Sequence, residues 1–139
     1  MRWLFKFVRT LHVAIYRMSG GRVGASIAGM PMLILVTKGR RSGKVHSVPL
    51  GYMMEGDSFV VIASYRGSPK HPAWYLNLLN KPQVFVQVSS RRIAVTAIKA
   101  DAEAREKLWT CLVAKTPLYK KFQDRTSRQI PMVYLTPVN

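Results

Sequence analysis

Residues 32–54, MLILVTKGRRSGKVHSVPLGYMM, hold two extended apolar runs separated by a basic turn. Met32 to Val36 reads as a strand, and Val45 to Met54 as a second, so the intervening residues form a connection between strands. Lys38, Arg40, Arg41 and Lys44 put four cations into seven positions. Gly39 and Gly43 let the backbone turn sharply, which is expected to aim amide N–H groups one way. Such a loop suits a phosphate or a row of carboxylates. Arginine offers a planar two-pronged donor to an oxyanion, and the Ser42 and Ser47 hydroxyls can complete the shell. The competing reading is a solvated basic hairpin. A Walker loop is excluded, because G-x-x-x-x-G-K-[ST] is absent.

Outward from this stretch the extended pattern continues. Ser58 to Ala63, Gln83 to Val88, Ile93 to Lys99 and Ile130 to Leu135 are short runs bounded by turn signals. Glu55-Gly56-Asp57 and Ser89 to Arg92 read as turns, which makes two antiparallel hairpins. Pro72 suits the first turn of a helix running to about Asn80, stopped by Lys81-Pro82. Asp101 caps a helix from Ala102 to about Ala114, with Leu108, Trp109, Leu112 and Val113 facing the sheet and Pro117 closing it. A short aromatic-bearing stretch precedes the last strand. The fold class is mainly β (α+β): a small antiparallel barrel with helical insertions. Residues 31–139 form this domain. Residues 1–30 comprise an amphipathic helix, Met1 to Arg17, and a Gly-rich link. Lys6 and Arg9 interrupt any apolar stretch long enough for a signal peptide or a membrane span.

The chain carries 22 Lys+Arg against 6 Asp+Glu, a formal net charge of +16 over 139 residues. That restricts its partners to anions: a polyanionic cofactor, an anionic membrane surface or nucleic acid. An RNP-like aromatic signature is missing, so nucleic acid is not favoured. The cationic face of the first helix, backed by Trp3 and Phe7, suits the interface of an anionic bilayer, and packing on its own domain or on a subunit partner is the alternative. A single cysteine, Cys111, and three scattered histidines, His12, His46 and His71, exclude a disulfide framework and make a metal site unexpected. A reducing, cytoplasmic setting follows, with the N-terminal helix allowing a peripheral position at the inner face of the cell membrane.

A second stretch, Ala63 to Asn77, leaves a strand, crosses a polar turn and enters a helix with two adjacent aromatics. A planar heteroaromatic ligand needs an apolar face and a few polar groups at its edge, and this segment has both. A loop leading to a core tryptophan is the plainer reading.

Thr37-x-Gly-Arg-Arg-Ser-Gly-Lys with Pro49-Leu50, then Ala63-Ser64 with Gly67-x-Pro69-Lys70-x-Pro72-Ala73-Trp74-Tyr75-x-Asn77-Leu78, then Pro117-x-Tyr119 with Gln123-x-Arg125-Thr126 and Ile130-Pro131, closely resemble the deazaflavin-dependent nitroreductase family. These are split-β-barrel, FMN-binding-like oxidoreductases of actinobacteria that use coenzyme F-420, an 8-hydroxy-5-deazaflavin with an oligoglutamate tail. The resemblance implies that Lys38, Arg40, Arg41, Ser42 and Lys44, with Ser47 and Pro49 beside them, hold the phosphate and tail. It places Ala63, Ser64, Lys70, Trp74 and Asn77 around the ring system. Thr116, Tyr119 and Phe122 fall where nitroimidazole-reducing members carry three tyrosines, so only the middle tyrosine is kept and a different or narrower acceptor range is expected. Ser64 and Tyr119 are the candidate proton donors. The implied reaction is hydride transfer to an organic acceptor, with quinone favoured over nitro or enone compounds, by a monomer or homodimer. Two alternatives stay open: an FMN-dependent reductase on the same barrel, and a non-enzymatic deazaflavin-binding or membrane-associated protein.

Overall fold

The computed structural model describes residues 26–27 and 29–138. The expected N-terminal helix, Met1 to Arg17, lies outside the described residues. Seven strands are present among them: β1 (Ser26–Ile27), β2 (Met30–Lys38), β3 (Val45–Glu55), β4 (Ser58–Ile62), β5 (Gln83–Val88), β6 (Arg91–Lys99) and β7 (Met132–Pro137). Three helices accompany them: α1 (Ala73–Asn80), α2 (Ala102–Lys115) and α3 (Leu118–Asp124). The strand order is β1-β2-β3-β4-β7-β6-β5, antiparallel throughout, and β2 also pairs with β5 through Ile34↔Gln87, Leu35↔Val86 and Val36↔Phe85. That last pairing closes β2 to β7 into a six-stranded barrel.

Side-chain alternation builds two large cores from one sheet, with Met32 and Ile34 of β2 forming a third, smaller cluster. Leu33 and Leu35 of β2, Phe59 and Val61 of β4, Val84 and Val86 of β5, and Val133 and Leu135 of β7 fill the barrel interior, joined by Tyr75 and Leu78 of α1. Val60 and Ile62 of β4 and Met132 of β7 point outward, where Leu108, Leu112 and Tyr119 of α2 and α3 cover them with Ile130. Strands β4 and β7 are therefore buried on both faces, which explains why they read as continuous apolar runs rather than as alternating ones. Burying each such Leu, Ile or Val stabilises by roughly 1.5–3 kcal/mol.

Local chemistry sets the ends of the elements. Asp101 Oδ1 accepts the Ala104 N–H at 2.9 Å and caps α2, as expected. Gly56 supplies φ +60° in the β3–β4 turn. Several expected boundaries shift: β2 runs from Met30 to Lys38 rather than from Met32 to Val36, β4 stops at Ile62 rather than Ala63, and β6 begins at Arg91, inside the expected turn. Pro72 precedes α1 as its N-cap rather than entering the first turn, and α2 runs one residue further, to Lys115. The aromatic-bearing stretch after Pro117 is itself helical, α3, only seven residues long. The last strand begins at Met132 rather than Ile130. The Ile130 amide is held by Gln123 and the Pro131 carbonyl accepts the Ala63 N–H, so both residues belong to the connection.

Gly67 ties the chain after β4 to α3. At φ +79°, a methyl group there would lie 2.4 Å from the Phe122 carbonyl oxygen and 2.9 Å from Arg125 Cβ. Gly56, also at positive φ, has open space around it. Gly67→Ala is expected to cost at least about 2 kcal/mol, against about 1 kcal/mol for Gly56→Ala. Urea unfolding of the two variants checks this, and equal midpoints would contradict the contact.

Candidate functional site

The register of β3 creates a gap in the barrel. Its β2 partners run from Met32↔Gly51 to Lys38↔Val45, but its β4 partners span only Tyr52 to Glu55. Between Val45 and Gly51 no β4 residue pairs with it. The chain leaving β4 fills this side instead, passing from Ala63 to Pro72 before entering α1. Val48, Leu50 and Tyr52 pack on the barrel core. Ser47, Pro49 and Gly51 therefore face the other way, forming a row of small residues about 13 Å long.

The basic loop stands at one end of this row. Gly39 N–H donates to Lys44 O and Gly43 N–H to Gly39 O, both at 2.8 Å. Lys44 N–H donates to Ser42 Oγ at 3.1 Å, and Arg40 N–H donates to Asn77 Oδ1 at 3.1 Å. The amides of Gly39, Arg40, Gly43 and Lys44 thus close the loop on itself and on α1 instead of being aimed outward, which corrects the expectation for these four. Lys38, Arg40, Arg41 and Lys44 are all exposed, and the ion pairs among the described residues are Lys107–Glu103 and Lys120–Asp124. None of the four loop cations has a carboxylate partner there. Asn77 is 5% exposed and donates to Thr37 Oγ1 at 3.3 Å. It is a strut that pins the loop to the barrel rather than a displayed donor.

Beyond Ile62 the pairing of β4 ends, and Ser64, at φ −74° and ψ −39°, leaves the extended conformation for the turn that follows. Here the backbone is strained: Tyr65 and Arg66 adopt φ +44° and +55°, followed by Gly67. Two arginines hold the turn, Arg125 by donating from Nη1 to Arg66 O at 3.3 Å and Arg128 by a wider set of bonds. Arg128 donates from Nη2 to Ser64 O at 2.8 Å, from Nη1 to Ala63 O at 3.1 Å and from Nε to Ser68 O at 2.8 Å. Its Nη1 also meets His71 Nδ1 at 3.1 Å, so a neutral His71 accepts. Gln123 extends the clamp: its Nε2 donates to Arg128 O at 2.7 Å, and its Oε1 accepts from Arg105 Nη2 at 3.0 Å. Arg105, 7% exposed, lies 4.3 Å over the Trp109 ring and donates to Ile130 O. Arg128 and Arg105 were missed from sequence, and Gln123 was read as part of a motif but given no role. Their partners lie far along the chain, and only their proximity to Ile130-Pro131 hinted at a role.

Beyond Gly51 stands the aromatic helix. A methyl group at Gly51 would lie 3.6 Å from the Tyr119 hydroxyl. Tyr119 is 9% exposed, and burial pushes its phenol pKa up, so the proton stays on. Phe122 packs edge-on to it with ring centroids 5.7 Å apart. Thr116 is buried and its carbonyl accepts the Tyr119 N–H at 3.2 Å. Tyr119, with Phe122 against it, thus stands beside the Gly51 end of the row, and Arg128 and Gln123 tie the turn carrying Ser64 to the same helix. Lys70 is exposed on the polar turn, whereas Trp74 is half-buried and packs on the inner core edge-on to Tyr75. Ala63 is fully buried in that core with both its backbone polar groups bonded, so it supports the site from behind. Among the described residues no His, Cys, Asp or Glu cluster is disposed to hold a metal.

Arg128→Ala is expected to destabilise the protein by about 3 kcal/mol, since three carbonyls lose a charged donor, and Arg128→Lys to restore only part because it lacks the fork. His71 has its pKa lowered by burial and then by Arg128 and Lys99. A folded pKa below the unfolded one means that stability is full above the ordinary value of about 6.5 and falls as pH drops through and below it. Melting temperature followed from pH 7.5 to 5 checks both. His71→Asn removes this slope if His71 is the group that titrates, and an unchanged slope would refute it.

The barrel agrees with what known proteins show. Residues 7–137 match the family model described as F420H(2)-dependent quinone reductase. A curated F420H(2)-dependent quinone reductase of Mycobacterium tuberculosis is 37% identical over 143 residues, covering 97% of this chain and 96% of the relative. A solved F420-H2 dependent reductase superposes with a TM-score of 0.68 at 36% identity, over 76% of this chain and 93% of that one. A second solved chain, described as a domain-swapped dimer, gives a TM-score of 0.70 at 31% identity over 94% and 98%. The motifs that resembled deazaflavin enzymes thus sit in a matching fold along nearly the whole length, and the chain belongs to the F420H(2)-dependent quinone reductase family.

Proposed function

We propose that this protein is a reductase that uses reduced coenzyme F-420 to convert a quinone to its hydroquinone. Family membership sets the redox class. The observation that carries the assignment to this site is the arrangement along β3: four exposed cations without carboxylate partners among the described residues, then Ser47, Pro49 and Gly51, then a buried phenol. A long ligand with an anionic tail matches that order of chemistry, whereas a flavin with one phosphate leaves cations in excess. The donor set fits the coenzyme. Lys38, Arg40, Arg41 and Lys44, with Ser42 and Ser47, would hold the phosphate and glutamate tail. Pro49, Ser64, Lys70 and the edge of Trp74 would border the ring system, with Ala63 and Asn77 fixing the backbone behind them.

When bound, the reduced coenzyme supplies a hydride from its ring carbon. The remaining work is positional and electrostatic. The Arg128 clamp holds Ser64 at one side of Pro49 and Gly51, and α3 holds Tyr119 at the other, so an acceptor between them meets two hydroxyls. Phenol is a weak acid, and burial weakens it further. The oxygen that has received the hydride's charge is itself a hydroquinone phenolate of about the same basicity, so proton transfer from Tyr119 is close to balanced and depends on its positioning. Phe122 contributes an apolar wall and Thr116 the turn that aims Tyr119. With tyrosine at one of three positions, nitroimidazoles fall outside the acceptor range. The cationic, Trp-bearing segment 1–17 holds the enzyme at the inner membrane surface, where apolar quinones dissolve.

Fluorescence titration is expected to show micromolar or tighter binding of coenzyme F-420 and little of FMN, weakening with salt; preference for FMN would overturn the assignment. Arg41→Ala is expected to weaken the long-tailed coenzyme more than a tail-less analogue. Tyr119→Phe should leave coenzyme affinity within twofold and lower quinone turnover about a hundredfold. Unchanged turnover would remove Tyr119 as the donor.

A further inference from the structure

The outer face of β5 and β6 is exposed and partly apolar. Alternation sends Val84 and Val86 of β5 and Val95 of β6 into the core, and so turns Phe85, Arg92, Ala94, Thr96 and Ile98 outward. Phe85 is 42% exposed and Ile98 53%. The residue after β7 adds another apolar side chain: the Val138 N–H donates to Ala94 O at 2.9 Å, and Val138 is 56% exposed. Because Phe85 pairs with Ala94, these two and Val138 make an apolar row across the strands, about 10 Å wide. Helices α2 and α3 cover β4 and the start of β7 instead. Contiguous exposed apolar surface on a sheet marks a place where something docks.

The face is complementary to itself. Its two ends carry opposite charge: Arg91 and Arg92 begin β6, and Asp101 follows its end, all three exposed. None of the three has an ion-pair partner among the described residues, where the pairs are Lys107–Glu103 and Lys120–Asp124. The Arg92 guanidinium lies 4.5 Å over the Phe85 ring, which keeps it on the outer side. Lys99 alternates to the other side, where its charge reaches His71. A two-fold axis passing through Thr96 sets each residue against the one equally far beyond the axis on a second copy. Thr96 then meets Thr96, Ala94 meets Ile98, and Arg91 meets Asp101. Hydroxyl opposes hydroxyl, a small side chain opposes a large one, and a cation opposes a carboxylate, each contact occurring twice by symmetry. An anionic bilayer would suit Phe85 and the arginines but would repel Asp101 on the same face.

We propose that this protein forms a symmetric homodimer through the outer face of β5 and β6, with the axis at Thr96 and Arg91 of each copy paired with the other copy's Asp101. The patch measures about 30 Å by 15 Å, so roughly 900 Å² is buried over the two copies, the low end for a specific interface. The dimer is therefore concentration-dependent. In the closed barrel β6 stands three strands from β3 and hence on the opposite side, so the coenzyme row of each copy stays open.

Sedimentation equilibrium of the full chain, in about 150 mM salt to screen the repulsion between two cationic copies, is expected to show dimer at about 100 µM and monomer at about 1 µM. Ile98→Glu and Arg91→Glu, both on exposed positions, should weaken self-association at least tenfold while leaving coenzyme affinity and turnover within twofold. Asp101→Asn keeps an oxygen to cap α2 and removes the charge, and should weaken the dimer without changing the melting temperature of the monomer. A direct readout of the axis uses a Cys111→Ser background: Thr96→Cys should form an intermolecular disulfide on mild oxidation, and Val45→Cys, 64% exposed elsewhere on the barrel, should not. A wild type that is still monomeric at the higher concentration overturns the proposal, whether its face proves to be covered by residues 1–25 or to bind anionic vesicles. So does a dimer that survives Ile98→Glu or leaves the Thr96→Cys thiol unlinked.

Discussion

Strand β3 is eleven residues long and its neighbour β4 only five, and the site follows from that mismatch. One half of β3 is a barrel stave between two strands. The other half has a strand on one side and an irregular segment on the other, and irregular backbone must find its hydrogen bonds case by case. Here the burden falls on Arg128, whose guanidinium meets three carbonyls and a histidine. Five donors in a rigid plane suit that task, and a lysine's point charge does not. Because Arg128 is anchored through Gln123 to α2 and α3, the turn carrying Ser64 and the helix carrying Tyr119 are placed by one network. Their separation is a property of the fold rather than of two independent loops.

The charge distribution has the opposite character. The clamp is satisfied internally, whereas the cations of the β2–β3 loop have no carboxylate partners among the described residues while their backbone is locked. Uncompensated like charges destabilise the folded state modestly and are screened by salt. A bound polyanion relieves that repulsion, so ligand affinity and stability are coupled through the same side chains. Asn77 makes the arrangement usable. By holding the Arg40 amide and Thr37 together it prevents the loop from folding away from its own repulsion.

What was legible in the sequence was local. The basic loop, the Asp101 cap and the Gly56 turn are written in adjacent residues, and the structure places them as read. Strands β4 and β7 were recognisable as strands but not as doubly buried, since the helices that cover them come from another part of the chain. Helix α3 escaped because two turns beginning after Pro117 carry too little periodicity. Ala63 and Asn77 were picked as ligand contacts by resemblance and prove to be buried supports, a distinction that depends on burial and that no motif encodes. Barrel closure by β2 and β5 and the Arg128 clamp join residues up to 65 positions apart. Pairings of that kind arise only after the chain has collapsed.

Tyr119 shows how these layers meet in one group. Its burial against the outer core raises its pKa, which by itself makes it a poorer acid. The same burial excludes water from its hydroxyl and keeps competing donors away. A weak acid that is always protonated suits a reaction whose base does not exist until hydride has arrived: a stronger acid would ionise beforehand and present a negative charge to an electron-accepting ring. Gly51 completes the logic, since its missing side chain leaves the phenol facing the strand at contact distance. The apolar surroundings that stabilise the outer core and the acidity that the reaction tolerates are therefore the same physical fact seen from two sides.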